Sequence, residues 1–132
     1  MKARFAVIPL LLTSRFICTL TPIHGRSMSP TLNPLETTRD DSDVVLVEKL
    51  TAAVDPRRFN RGEVVVFVHP DDPELVLVKR ITKVVDEGYV WVEGDEPFKS
   101  TDSRVFGPVA KGLIIGRVIG IMWPLDRFKL FL

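Results

Sequence analysis

Short runs of β-branched and aliphatic residues, separated by turn signals, constrain this chain more than any other feature. Val44-Val45-Leu46-Val47 marks a strand over Asp43–Leu50, and Val64-Val65-Val66-Phe67-Val68 a second over Glu63–His69. Such residues suit buried strands because their branched side chains pack well on a pleated surface. Leu75–Val85 is the longest candidate, Tyr89–Glu93 returns from a tight connection at Asp86-Glu87-Gly88, and Ile114–Met122 is a last strand, bulged at Gly116 or Gly120. Between them lie Thr51–Gly62, read as a solvated connection, the turn Pro70-Asp71-Asp72-Pro73, and the polar, turn-rich Gly94–Gly112. No long helical periodicity survives past residue 24. The pattern predicts an all-β fold, a compact barrel or sandwich.

The N-terminus has a different character. The first acidic residue is Glu36, and before it Lys2, Arg4, Arg15 and Arg26 stand among apolar residues. A basic, apolar, acid-free start resembles a targeting or membrane-anchoring segment, and residues 1–24 are read as a short hydrophobic helix of that kind. Pro9 and Arg15 interrupt it. A membrane span needs about 20 continuous apolar residues, and an arginine at mid-membrane costs roughly 2.5–3.5 kcal/mol. A spanning helix and a short amphipathic or partly buried one both stay open. Residues 25–124 form the predicted β domain, and 125–132 a short amphipathic tail.

At 132 residues the chain fits one domain, and its net charge of +1 gives no broad basic field for nucleic acid. The single cysteine, Cys18, excludes an internal disulfide and a cysteine-based metal cluster. With only His24 and His69, a multi-histidine metal site is excluded as well, so no metal or other cofactor is implied.

Chemistry enters at Gly25-Arg26-Ser27-Met28-Ser29-Pro30-Thr31-Leu32, a serine in a proline-braced turn. Alone, Ser27 reads as a turn or cap residue, because a nucleophile needs a base within reach. His24 and His69 look like solvated or packing side chains, and no G-x-S-x-G elbow surrounds Ser27. The other known base is a neutral lysine, which must be desolvated to act far below its usual pKa of about 10.4. Lys79 follows Leu75-Val76-Leu77-Val78 and faces inward by strand alternation if Arg80 stays wet; a solvated Lys79-Arg80 strand end is the plainer reading.

Four segments in order then resemble the boxes of the type I signal peptidase family. The serine segment above resembles its serine box, and Arg61-Gly62-Glu63-Val64-Val65-Val66-Phe67 its Arg-Gly-Asp strand, with Glu for Asp. Val78-Lys79-Arg80-Ile81 resembles the lysine box, and Gly94-Asp95, Ser100-Thr101-Asp102-Ser103-Arg104 and Gly107-Pro108 the last one. The resemblance implies a signal-peptidase-like β domain in which Ser27 attacks the scissile carbonyl and Lys79 is the general base. It further implies that Ser100 orients the lysine, that Asp102 and Arg104 pair in support, and that Gly94 and Asp95 shape the loop carrying Ser100. Met28, Val76 and Val78 are placed at the substrate groove, with an extended peptide beside the Ser27 segment and the Leu75–Val78 strand.

Gly25 stands where many bacterial members carry a serine whose hydroxyl helps bind the oxyanion, so the backbone near Gly25 and the Ser27 N–H must carry more of that work. Small size, the basic acid-free N-terminus and Gly25 are similar to the mitochondrial inner membrane branch, and Asn33-Pro34 and Trp91-Val92-Glu93-Gly94-Asp95 look most like its second subunit. That resemblance implies precursor polypeptides with presequences as substrates and inner membrane protease subunit 1 as heterodimer partner. It also implies a place at the mitochondrial inner membrane, facing the intermembrane space. Two alternatives stay beside it: a Ser-Lys autopeptidase of the LexA repressor type, which lacks support from any helix-turn-helix pattern, and a non-catalytic presequence-binding subunit.

Overall fold

The computed structural model describes residues 17–33, 43–96 and 101–131. Most of the predicted N-terminal helix (residues 1–16) and Ser100 lie outside the described residues.

Among the described residues eight strands form one antiparallel sheet: β1 (Cys18–Pro22), β2 (Val44–Glu48), β3 (Val64–His69), β4 (Asp72–Val84), β5 (Tyr89–Glu93), β6 (Val109–Ala110), β7 (Ile114–Trp123) and β8 (Lys129–Leu130). The spatial order is β1-β2-β7-β3-β4-β5-β6, with β8 added on β7. The all-β reading holds, but the expectation of a barrel or sandwich is corrected. The sheet is not closed, and β1 and β6 end it without pairing with each other.

The continuous Val64–Phe67 run explains how one sheet makes a core. Val64 and Val66 point into a cluster with Ile23, Met28, Leu32, Val45, Val47, Val118 and Ile121. Val65 and Phe67 point into a second cluster with Phe59, Ile81, Val90, Val92, Val109 and Ile114. A strand covered on both faces needs apolar residues at every position, and the period-2 alternation disappears. The serine segment covers one face through Met28 and Leu32; Phe59 and the β5–β6 end of the sheet, through Val90, Val92 and Val109, cover the other.

Several boundaries differ from the sequence reading. Cys18–Pro22 joins the sheet on β2, so the end of the presumed anchor belongs to the β domain. Residues 50–62 hold helix α1 (Leu50–Val54), a 3-10 turn at Pro56–Arg58 and the buried Phe59, so this connection is part of the core and not merely solvated. β4 starts at Asp72 and includes Pro73, because Val68↔Val76 is followed by His69↔Asp72 and the intervening residues bulge out of the ladder, where no N–H is required. In β7, register shifts flank both glycines, and a Cβ on Gly116 would lie 2.6 Å from the Glu48 carbonyl. The tail is strand-paired through β8, and Phe131 packs on the first cluster.

Candidate active site

Three chain segments meet where β4 loses its second neighbour. β5 pairs only with the Arg80–Val84 part of β4, so the Asp72–Lys79 half carries β3 on one side only. Lys79 is the last residue before that junction and sits in register with Val65 of β3. The serine segment comes to the same point across a groove of about 390 Å³ lined by Thr21–His24, Ser27, Met28, Val66 and Val76–Lys79. There the Lys79 Nζ donates to Ser27 Oγ at 2.7 Å.

Lys79 is 4% exposed. Burial lowers its pKa, and the charge of Asp102 pulls it partly back. That carboxylate is held elsewhere: Arg104 binds both its oxygens, Nε to Oδ1 at 2.9 Å and Nη2 to Oδ2 at 2.7 Å. Asp102 also caps helix α2 (Ser103–Phe106) by accepting from the Arg104 N–H, and it accepts from the Gly94 N–H. The lysine therefore feels a carboxylate whose charge is already spread over a guanidinium and two amides. A lysine in such a place loses its proton more readily than one in water.

The serine segment is fixed by its own backbone and by the next loop. Ser29 N–H donates to Arg26 O, Leu32 N–H to Met28 O, and Glu96 N–H to Ser27 O at 2.9 Å. Thr31 Oγ1 donates to Asp95 Oδ2 at 2.6 Å, and Arg80 binds both oxygens of the same carboxylate. Burial opposes ionisation of Asp95, but the hydrogen bonds from Arg80 and Thr31 outweigh it and hold the carboxyl below its usual range. The lysine strand, the Gly94–Glu96 loop and the serine segment are thus tied at one side chain. Arg80 keeps part of its surface in solvent, as alternation suggests, but its guanidinium spans Asp95 and the Gly62 carbonyl.

The structure brings Ser27, Lys79, Asp102 and Arg104 into one neighbourhood, and Met28, Val76 and Val78 line the same groove. Gly25 has φ +81 with open space around its Cα, so glycine is set by backbone conformation and not by crowding. His69 is remote from this chemistry, edge-on to Phe106 and accepting from the Asp71 N–H. Ser103, in the segment that resembles the family's last box, is buried and accepts from the Val92 N–H, anchoring α2 to β5. Among the described residues no group of His, Cys, Asp or Glu could hold a metal.

A serine hydroxyl hydrogen-bonded to a desolvated lysine amine can be deprotonated and can attack a carbonyl. A family model described as signal peptidase, peptidase S26, matches residues 2–84 and 81–123. The chain belongs to this signal peptidase family. Like the family it belongs to, it is a type I signal peptidase-like protease. It is 39% identical over 135 residues to mitochondrial inner membrane protease subunit 2 of Schizosaccharomyces pombe, covering 89% of this chain and 72% of that one. The subunit 2 of Saccharomyces cerevisiae is 35% identical, over 92% of this chain and 77% of its own. Subunit 1 of Homo sapiens is 34% identical, over 79% and 69%.

Proposed function

We propose that this signal peptidase is a Ser-Lys endopeptidase that removes presequences from proteins sorted to the mitochondrial intermembrane space, as the subunit 2 partner of a subunit 1-like chain. The observation that carries the proposal is the 2.7 Å contact between a buried Lys79 amine and Ser27 Oγ in an open groove. Neutral Lys79 takes the hydroxyl proton as Ser27 Oγ attacks the scissile carbonyl. The developing oxyanion is met by the Ser27 N–H, and the Gly25 backbone sets the turn that aims it. Lys79 then gives its proton to the leaving amine, and an ester to Ser27 remains until Lys79 activates water to hydrolyse it. Ser100, by resemblance, orients the amine.

The substrate adds as an extended segment to the free Val76–Val78 edge of β4, facing Thr21–His24. Its side chains before the cut enter an apolar groove of Ile23, Met28, Val66 and Val78. Exposed Leu20, Trp123, Leu125, Phe128 and Leu130 support a seat at a membrane surface. Leu20, Leu46, Gly120 and Leu130 follow one row across β1, β2, β7 and β8, which makes part of that surface continuous. No helix among the described residues is long and apolar enough to cross a membrane. The relatives named as subunits 1 and 2 of one protease support the heterodimer and the inner membrane.

The test is processing of a precursor with a bipartite presequence by the wild-type, Ser27→Ala and Lys79→Ala chains, each with and without the partner subunit. Cleavage by the wild type alone supports the proposal; retained activity in folded Lys79→Ala protein overturns it. Release of the native protein by carbonate would exclude a spanning anchor.

A further inference from the structure

The serine turn is gripped from behind by a second polar network that the dyad itself does not include. Asn33 has φ +49, a conformation that asparagine tolerates better than most side chains. Its Nδ2 donates to the Ile23 carbonyl at 2.7 Å and to the Gly25 carbonyl at 2.9 Å. Its Oδ1 accepts from the Asp43 N–H at 2.7 Å, and its own N–H donates to Asp43 Oδ2 at 2.9 Å. Asp43 is 1% exposed, and Arg127 meets it twice, Nε to Oδ1 and Nη2 to Oδ2, each at 2.9 Å. The same Nη2 donates to the Thr31 carbonyl at 3.2 Å. Ser29 Oγ closes the circuit on the Asn33 carbonyl at 2.6 Å.

The atoms at the ends of this network decide its meaning. The Ile23 carbonyl belongs to the wall of the substrate groove. The Gly25 carbonyl fixes the plane of the Gly25–Arg26 peptide, one residue before the nucleophile. A buried carboxylate with a two-point guanidinium partner gives that plane a rigid foundation. The foundation comes from the far end of the chain, in the tail that returns to the sheet through β8.

We infer that Asn33, Asp43 and Arg127 are positioning residues for Ser27: the C-terminal tail sets the aim of the nucleophile through Asp43 and Asn33. This rests on Ser27 being the nucleophile, as proposed above. Loss of the grip lets the Gly25–Arg26 peptide turn and carries Ser27 Oγ off the line to Lys79 and the scissile carbonyl. A misplacement of about 1 Å costs a reaction on the order of 10²-fold. The groove walls on β4 stay in place, and Ile23 remains tied to the Asp43 carbonyl through its own N–H, so peptide binding is largely kept.

The test uses the full chain, with its partner subunit where the pair is required. Single-turnover cleavage at saturating precursor, KM and thermal unfolding are measured for wild type, Arg127→Gln, Arg127→Lys, Asn33→Ala, Ser27→Ala and Lys79→Ala. In folded protein, Arg127→Gln and Asn33→Ala are expected to slow the chemical step by about tenfold or more with KM within about twofold, and Arg127→Lys to recover part of the loss. Should Arg127→Gln fail to fold, Asn33→Ala, which leaves the Asp43–Arg127 pair intact, carries the test. Wild-type rates in folded Asn33→Ala and Arg127→Gln would overturn the inference, as would losses that only follow the unfolded fraction. If instead Ser27→Ala or Lys79→Ala cleaves, the dyad fails and not merely its support.

Discussion

Replacing Lys79 by methionine should leave the protease inactive and more stable. The side chain sits in an apolar groove wall at 4% exposure, and burial of its charged form lowers its pKa. The unfolded chain keeps a lysine near its ordinary value of about 10.4. Below the folded pKa the native state carries a buried ammonium that the unfolded state hydrates freely, and the wild type bears that cost in full. Between the two pKa values the unfolded state binds the extra proton, so wild-type stability rises with pH. Above about 10.4 both states are neutral and the cost is gone.

Methionine has a similar length and no charge, so Lys79→Met removes the cost at every pH. It loses one hydrogen bond to Ser27, worth about 0.5–1.5 kcal/mol, but the Ser27 hydroxyl borders the open groove and can find water. Replacing a buried ion pair with apolar side chains of similar volume is often neutral or stabilising by about 1–4 kcal/mol in other proteins. The expected net gain is on the order of 1–2 kcal/mol near neutral pH, shrinking as the pH approaches about 10. Urea unfolding of the two proteins across pH measures it, with Lys79→Ala as the cavity control. A Lys79→Met protein less stable than wild type, with a gap that ignores pH, would refute the reasoning. It would mean that Asp102 holds Lys79 charged and satisfied, which is no state for a general base.

Phe59→Ala should cost about 3–5 kcal/mol by urea unfolding, because Phe59 is 1% exposed in the second core cluster; a cost below about 1 kcal/mol would put it back on the surface. Thr31→Val removes one donor to Asp95 and should destabilise by about 1 kcal/mol, with Arg80 still holding the carboxylate. Gly25→Ala meets open space but a positive φ, so a loss of about 1–2 kcal/mol and a slower chemical step are expected, read from unfolding and single-turnover rates.

The sheet and the Ser27–Lys79 contact were legible for different reasons. β3 advertises itself by local pattern, since a run of β-branched residues has few other homes, whereas Ser27 and Lys79 stand out only through the resemblance of four ordered segments to the family's boxes. β1 was hidden, because an edge strand of apolar residues next to a basic N-terminus carries the same signal as an anchor. Phe59 was hidden among charged neighbours, and one buried ring leaves no period to read. β6, with two residues, is below the length at which alternation exists. At the site, alternation gave the face of Arg80 but not its partner, because Asp95 reaches it only after β5 has turned back. The Asp43–Arg127 pair joins positions 84 apart, and no local rule connects them.

The dyad itself is tested most directly by the pH dependence of Ser27 acylation in single turnover with a saturating precursor. The rate should rise with pH along a single limb and level off at a pKa below the free-lysine value of about 10.4, with the limb absent in Lys79→Ala. A flat profile from mildly acidic to alkaline pH, or a limb at or above the free-lysine value, would contradict Lys79 as the base.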